Sequence, residues 1–357
     1  MILYKYLFYR FIAGLSVSLI VLVSIEIFFS FTAELKYLNV GNYGIVPMVE
    51  YTILSIPKSI LIMFPYAVLI GSMLSLGAMA SDMEFISMHA AGISITRVIM
   101  IIMVQVFLVS SIFYAASDTF VPKLTKKAES KKNIALNKKL VFNHNGVWFK
   151  DKNTFIKINE IYSDHSLKGI TLYKYDSNNS LSSIKTIRDA NYVNDQWNLV
   201  GMEETLFHTK PVTKKYSDKE VTPNFIDQRL INIKTNKSES LSLREVVRNI
   251  RYLKNNNLDS DVQRKIFWEK LFKPLSTIIM LFLSMPFIFG RQRSSNMSKR
   301  IVLGLFIGII FFIATSILPN LGMVLGITPF LNVLFPHILF IILGFYMLNY
   351  QLDAGLR

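Results

Sequence analysis

The chain has 357 residues, 52% of them hydrophobic, a formal charge of +15 and no cysteine, and its mean hydropathy is +0.38. That is too apolar for a soluble domain of this size and fits a polytopic membrane protein. The lack of cysteine excludes disulfides, thiolate metal sites and thiol chemistry.

Three apolar stretches precede a long polar middle region and three follow it, at about 11–31, 58–80, 98–117, 271–289, 301–318 and 330–348. Each approaches the ~20 residues that carry a helix across hydrocarbon. The first follows Lys5 and Arg10, is too long for a signal-peptide core and lacks a cleavage site, so it reads as an uncleaved span. Glu26 lies inside it, with Ser30 and Glu34 one and two turns further on. A charge there is costly in lipid and should face protein or a cavity, as packing glue or as a cavity wall. Lys36 and Lys58 sit near the outer ends of spans one and two, and Pro57 and Pro65 kink the entry to span two. The segment from Ser81 to Ser94 is short and amphipathic, and carries Asp82 and Glu84 where basic residues are usual. It reads as a docking handle for another protein. Gln105 in span three and His337 in span six are expected to be structural hydrogen bonders.

Lys123, Lys126, Lys127, Lys131 and Lys132 follow span three, and Lys123, Lys127 and Lys131 share one helical face. Together with Lys36 and Lys58 they predict a positive rim suited to a phosphate-bearing amphiphile. Snorkelling to headgroups is the plainer alternative. From Lys123 to Lys270 there are 28 Lys/Arg against 17 Asp/Glu. No base-stacking module accompanies this excess, so nucleic acid is not expected. The period then changes. Val147–Lys150, Phe155–Ile158 and Ile170–Tyr175 are short β-type runs separated by turn residues, which predicts an all-β, jellyroll-like or barrel-like domain over about 138–237. Helix resumes near Leu241, where Ser242 and Glu245 have capping-box spacing.

The loop Arg291–Arg300 holds four basic residues and no acid. It should be cytoplasmic, with both termini and the Glu84 segment, and the 118–270 insert should be outside. A cytoplasmic insert is the competing arrangement. No nucleotide-binding loop, nucleophile elbow or metal-ligand spacing occurs, so no catalytic residue, metal or resident cofactor is expected.

Several motifs, in order, resemble a known family. They are Ile56-Pro57-Lys58 with Phe64-Pro65, Glu84 leading to Met88-His89-Ala90-Ala91-Gly92, and Trp268-Glu269-Lys270-Leu271-Phe272-Lys273-Pro274. Phe287-Ile288-Phe289-Gly290 with Arg293-Ser294, Met297 and Arg300 completes the set. The chain resembles the LptF/LptG lipopolysaccharide export permeases of Gram-negative bacteria, nearer their LptG branch, from end to end. The resemblance implies six transmembrane helices in the inner membrane and a periplasmic β-jellyroll domain. It implies an ABC transporter in which this permease and a second one, LptF, share an LptB ATPase dimer that uses the ATP. Lipopolysaccharide would pass to LptC and through it to LptA. The segment of about 82–95 would be the coupling helix, with Asp82, Glu84, Phe85, Met88, His89 and Gly92 facing the ATPase. Lys58 and Lys132 match substrate-contacting positions, and the candidate substrate set is Lys36, Lys58, Lys127, Lys131, Lys132, Glu26 and Ser30. The chain departs from the family pattern near Ser30, where a lysine is expected. By its organisation, 1–117 holds the first three spans, 118–270 the insert and 271–357 the last three. Two rival readings are an ABC-type permease for another lipid or a lipoprotein, and a membrane-anchored ligand-binding receptor.

Overall fold

In a computed structural model of the chain, the described residues are 2–136, 146–162, 166–176, 178, 180–193, 196–207, 213–222, 225, 240–289 and 297–353. Residues 291–296 of the short basic loop lie outside them, as do His144, His165, His208 and the ends of the proposed 138–237 domain.

The first half is helical: α1 Ile2–Glu34, α2 Ile45–Ser81, α3 Glu84–Ala90 and α4 Ile95–Ala135. A single antiparallel sheet follows, built from β1 Val147–Asp151, β2 Thr154–Ile161, β3 Leu167–Tyr175, β4 Leu181–Val193, β5 Gln196–Leu206 and β6 Thr213–Thr222. Then come α5 Leu243–Asn255, α6 Asp261–Leu271, α7 Lys273–Phe289, α8 Met297–Val324 and α9 Pro329–Asp353. Helices α1, α2, α4, α8 and α9 are each long and apolar enough to cross a membrane, and the bent pair α6–α7 supplies a sixth span. The chain is thus a largely helical membrane protein with an inserted six-stranded sheet.

The helices outrun the apolar stretches that seed them. Once a helix leaves hydrocarbon its backbone hydrogen bonds still need no outside partner, so polar sequence of good propensity extends it. Helix α4 has 41 residues, roughly 60 Å at 1.5 Å per residue. Its far end carries the lysine cluster, with Val121, Thr125 and Ala128 buried and Lys123 and Lys127 exposed. The fourth span departs from a straight 271–289 helix. Helices α6 and α7 meet at 50°, because Pro274 at the start of α7 has no N–H to continue the ladder across Phe272. Ser242 and Glu245 form the full capping box that their spacing suggested.

Helices α1 and α2 cross at two glycines. A Cβ on Gly71 would lie 2.7 Å from Leu15 Cα and 2.8 Å from Leu15 N, and one on Gly14 would lie 2.5 Å from the Gly71 carbonyl oxygen. Close backbone approach of this kind replaces the missing hydrophobic drive for helix association in lipid. Around it lies a core from α1, α2, α4 and α7, including Leu7, Phe11, Val68, Leu76 and Ile102. A second core joins α2, α7, α8 and α9 through Leu69, Met280, Phe311 and Phe340. Buried Ser72 and Ser284 bond at 2.8 Å between α2 and α7. Gln105 Nε2 donates to the Tyr4 carbonyl at 2.9 Å, and His337 links Ser276 to the Val333 carbonyl. Both residues therefore bind helix to helix. Gly71→Val is expected to destabilise the bundle by about 1–3 kcal/mol through overpacking. Gly77→Ala, whose Cβ would meet nothing within 4 Å, should cost nothing. Equal detergent-unfolding midpoints for the two variants would refute the tight crossing.

In the sheet every strand pairs with its sequence neighbour, in the order β1 to β6. One face is apolar and buried, with Phe149, Ile158, Ile170, Ile187, Trp197 and Met202. Gly169 and Gly201 both have positive φ, near +63° and +67°. They flank Arg188 in one row across the strands, since Lys168↔Asp189 and Ile170↔Ile187 bracket it on one side and Asp189↔Val200 and Ile187↔Met202 on the other. Both glycines adopt the left-handed conformation that only glycine takes without strain, and a Cβ on Gly201 would lie 3.1 Å from Arg188 Cβ. Strand β6 is exposed along its length and rich in lysine, as befits an edge protected from pairing with other chains.

Candidate functional site

Two adjoining cavities open beside α2. The first, of about 220 Å³, is wholly apolar and lies among α1, α2 and α8, lined by Leu22, Met63, Tyr66, Ile70, Leu305 and Ile309. The second, of about 400 Å³, shares Ile62 and Phe312 with it. Its walls add Lys58, Tyr114, Asp118, Glu269, Lys270 and Lys273. An apolar space thus continues into one lined by three ammonium groups and the carboxylates of Asp118 and Glu269, a division into apolar and charged halves that matches an anionic amphiphile. Lys270 pairs with Asp118 at 3.2 Å. Asp118 also accepts from the Leu243 N–H at 2.8 and 3.0 Å, which caps α5.

The remaining candidate lysines are elsewhere. Lys132 is sealed into a cage where the C-terminal ends of α1 and α4 meet the N-terminal part of α2. Its ammonium lies 2.6 Å from Glu34 Oε1, with the two side chains 14% and 10% exposed. It also sits 4.4 Å from the Tyr37 ring centre and 4.5 Å from that of Tyr51. The Tyr43 hydroxyl donates to Glu34 Oε2 at 2.9 Å, and burial, then the Glu34 carboxylate, pushes the Tyr43 phenol well above its ordinary range. Lys131 pairs with Glu50, and Lys126 with Glu245. Burial alone would raise the Glu245 carboxyl, but Lys126 and the Ser242 N–H and hydroxyl hold it below its usual value. Lys36 lies over Tyr37 at 4.9 Å. Lys127 is exposed. The structure therefore divides the lysines by place: Lys58 lines the cavity with Lys273 and the Asp118-paired Lys270, while Lys131 and Lys132 lie outside it, each paired with a carboxylate. Ser30 donates to Glu26 Oε1 at 2.8 Å, and Glu26 Oε2 is buried without a hydrogen-bond partner among the described residues.

At the opposite end, α3 is a seven-residue helix entered through Met83, whose φ is 59°. Phe85 is buried at 3% exposure beneath it. The Glu84 carboxylate is not the free, exposed acid that its sequence setting suggested. It points back to α1, accepting from the Tyr6 hydroxyl at 2.7 Å and from Arg10 Nη2 at 2.9 Å, while Arg10 Nε also donates to Tyr6 at 2.9 Å. The outward face of the segment is Asp82, Met83, Ile86, Ser87, His89 and Gly92, with Met88 half-buried. Tyr6 and Arg10, one turn apart before the first apolar stretch, were legible only as a charged flank. Lys270, Lys273 and Tyr114 carried no signal beyond the motif around Trp268.

Sequence comparison decides what such a molecule is. The profile of the lipopolysaccharide export system permease LptF/LptG family matches residues 5–350. The chain belongs to this family. It is 28% identical to the lipopolysaccharide export system permease protein LptG of Escherichia coli K12 over 335 residues, 93% of each chain. It is 27% identical to the LptG protein of Haemophilus influenzae Rd over 353 residues, 98% of each. Membership makes it a transporter subunit of the LptG type rather than a catalytic enzyme, and agrees with its multi-pass helices.

Proposed function

We propose that the chain is the permease subunit of an ABC transporter that extracts lipopolysaccharide from the inner membrane and passes it to a periplasmic bridge. An LptB ATPase dimer supplies the work by hydrolysing ATP. LptF completes the membrane unit, and LptC receives the lipid on its way to LptA. The chain itself holds no cofactor in this reading. The observation that carries it is the cavity pair, whose apolar chamber opens past Ile62 and Phe312 onto Lys58, Lys270 and Lys273. Acyl chains fit the first and phosphates the second. Lys36, Lys127, Glu26 and Ser30 border the exit route on this view, while Lys131 and Lys132 hold its wall in place. The segment around Glu84, from Asp82 to Gly92, is the coupling element at the cytoplasmic end, and the sheet is periplasmic.

A photo-crosslinker at Phe312 tests the cavity in cells that contain the whole transporter. Lipopolysaccharide adducts are expected, and Lys58→Glu should reduce them at least tenfold, the loss of one charge-assisted hydrogen bond to a phosphate. Adducts with a lipoprotein or a phospholipid alone would favour the rival permease reading. Undiminished adducts in Lys58→Glu would return Lys58 to snorkelling.

A further inference from the structure

Helix α5 carries a charged surface that faces away from the cavity. Its inner side is buried, with Val246, Asn249 and the neighbouring Ile250 set against Ile266 and Phe267 of α6. Its outer side presents Arg244, Arg248 and Arg251 as one stripe at i, i+4 and i+7. Leu243 and Val247 edge this stripe on one side, and all five line a shallow groove of about 310 Å³. The three arginines are exposed, and among the described residues none of them has an ion-pair or hydrogen-bond partner.

The height of this helix is fixed by its first turn. The Leu243 N–H is held by Asp118 at 2.8 and 3.0 Å, and Glu245 is held by Lys126. Asp118 follows directly on the apolar stretch of α4 and is the first acidic residue after it. A helix joined there, with one buried face and a second face of cations edged by aliphatics, matches an interface rather than bulk water. Arginine suits phosphate better than lysine does, because its planar fork donates two parallel hydrogen bonds.

We propose that α5 is an interfacial helix whose Arg244, Arg248 and Arg251 bind the phosphate groups of anionic membrane lipids, with Leu243 and Val247 resting on the acyl boundary beside them. The site is independent of which lipid fills the cavity. It would fix the junction between sheet and spans relative to the membrane surface, because the other end of α5 grips the sheet. There the Tyr252 hydroxyl donates to the Lys150 carbonyl at 2.7 Å, and Asn256 Oδ1 accepts from the Lys152 N–H at 2.9 Å.

The absence of cysteine makes Val247→Cys a single labelling site for an environment-sensitive fluorophore. The labelled full chain is placed in nanodiscs of phosphatidylcholine, with or without phosphatidylglycerol. Emission should shift to the blue as phosphatidylglycerol is added. The lipid fraction needed should rise about a hundredfold, or beyond reach, in Arg244→Gln/Arg248→Gln/Arg251→Gln, since three surface cations are worth about that factor. Lysine at all three positions should restore most of the response. Should the triple glutamine variant fail to fold, Arg248→Gln alone should still show a loss of about fivefold. Identical emission in the two lipids, or an unchanged response in the glutamine variants, overturns the proposal. An equal shift in phosphatidylcholine discs on adding inorganic phosphate would make the stripe a free-anion site and overturn the lipid assignment.

Discussion

Lys132→Glu and Glu34→Lys are each expected to unfold the end of the bundle around Glu34, and the double exchange is expected to recover most of the loss. The wild-type pair is 2.6 Å apart and nearly excluded from water. Removing one partner from a buried pair leaves an uncompensated charge, at a cost of about 3–5 kcal/mol. Reversal adds repulsion to that cost. The exchange restores opposite charges but places a carboxylate against the Tyr37 and Tyr51 ring faces, which favour a cation. Recovery should therefore fall short of wild type by about 1–2 kcal/mol. Denaturation in detergent, run as a double-mutant cycle, measures the coupling. If Lys132 instead serves chiefly as a phosphate contact, Lys132→Gln will keep wild-type stability while lipopolysaccharide crosslinking falls. That outcome would remove the cage from the account and return Lys132 to the substrate set.

Glu84→Lys should weaken ATPase association by about one and a half to more than three orders of magnitude, the equivalent of about 2–5 kcal/mol. Its geometry divides this loss into two routes. One is direct contact with the ATPase. The other is positioning, because the carboxylate is held by Tyr6 and Arg10 of α1 and is only 20% exposed. Tyr6→Phe and Arg10→Gln separate them. Both leave Glu84 in place and remove its tether, so positioning predicts a loss of up to about tenfold in ATPase pull-down for each, one hydrogen bond's worth. Direct contact alone predicts equal or tighter binding, since a freed acid pairs more readily. The exchange Arg10→Glu/Glu84→Arg should rescue the second route and not the first. Retained binding and retained lipid-stimulated hydrolysis in Glu84→Lys would end any role for this residue in coupling.

Helix α1 joins these two clusters. It runs unbroken from Ile2 to Glu34, roughly 50 Å, and is clasped to α3 at one end and to α4 at the other. Its middle is fixed to α2 by the Gly14–Gly71 crossing. Local displacement of α3 is therefore resisted by contacts along the whole helix.

Much of this was legible from residues alone, because the signals are local. Runs of apolar residues set the spans. The alternation in Val147–Lys150 and Phe155–Ile158 marked strands, and Ser242 with Glu245 marked a helix start. Strands β4, β5 and β6 were not singled out by the same logic, and in β6 an exposed, lysine-rich edge has no alternation to read. The acid at Glu84 and the lysines after span three stood out by type and place, but not by partner. Arg10 and Glu84 are 74 residues apart, Glu34 and Lys132 are 98, and Lys126 and Glu245 are 119. Which charges neutralise each other depends on separations of a few ångströms, since the interaction falls off with distance and with access of water. Those separations follow from helix crossings and from the bend at Phe272. The sequence by itself determined the membrane class, the inserted sheet and the family. Only the tertiary structure decided that Lys58 faces a cavity with Lys270 and Lys273, that Lys132 is caged by Glu34, and that Glu84 turns inward to α1, because packing chooses the partner of each charge.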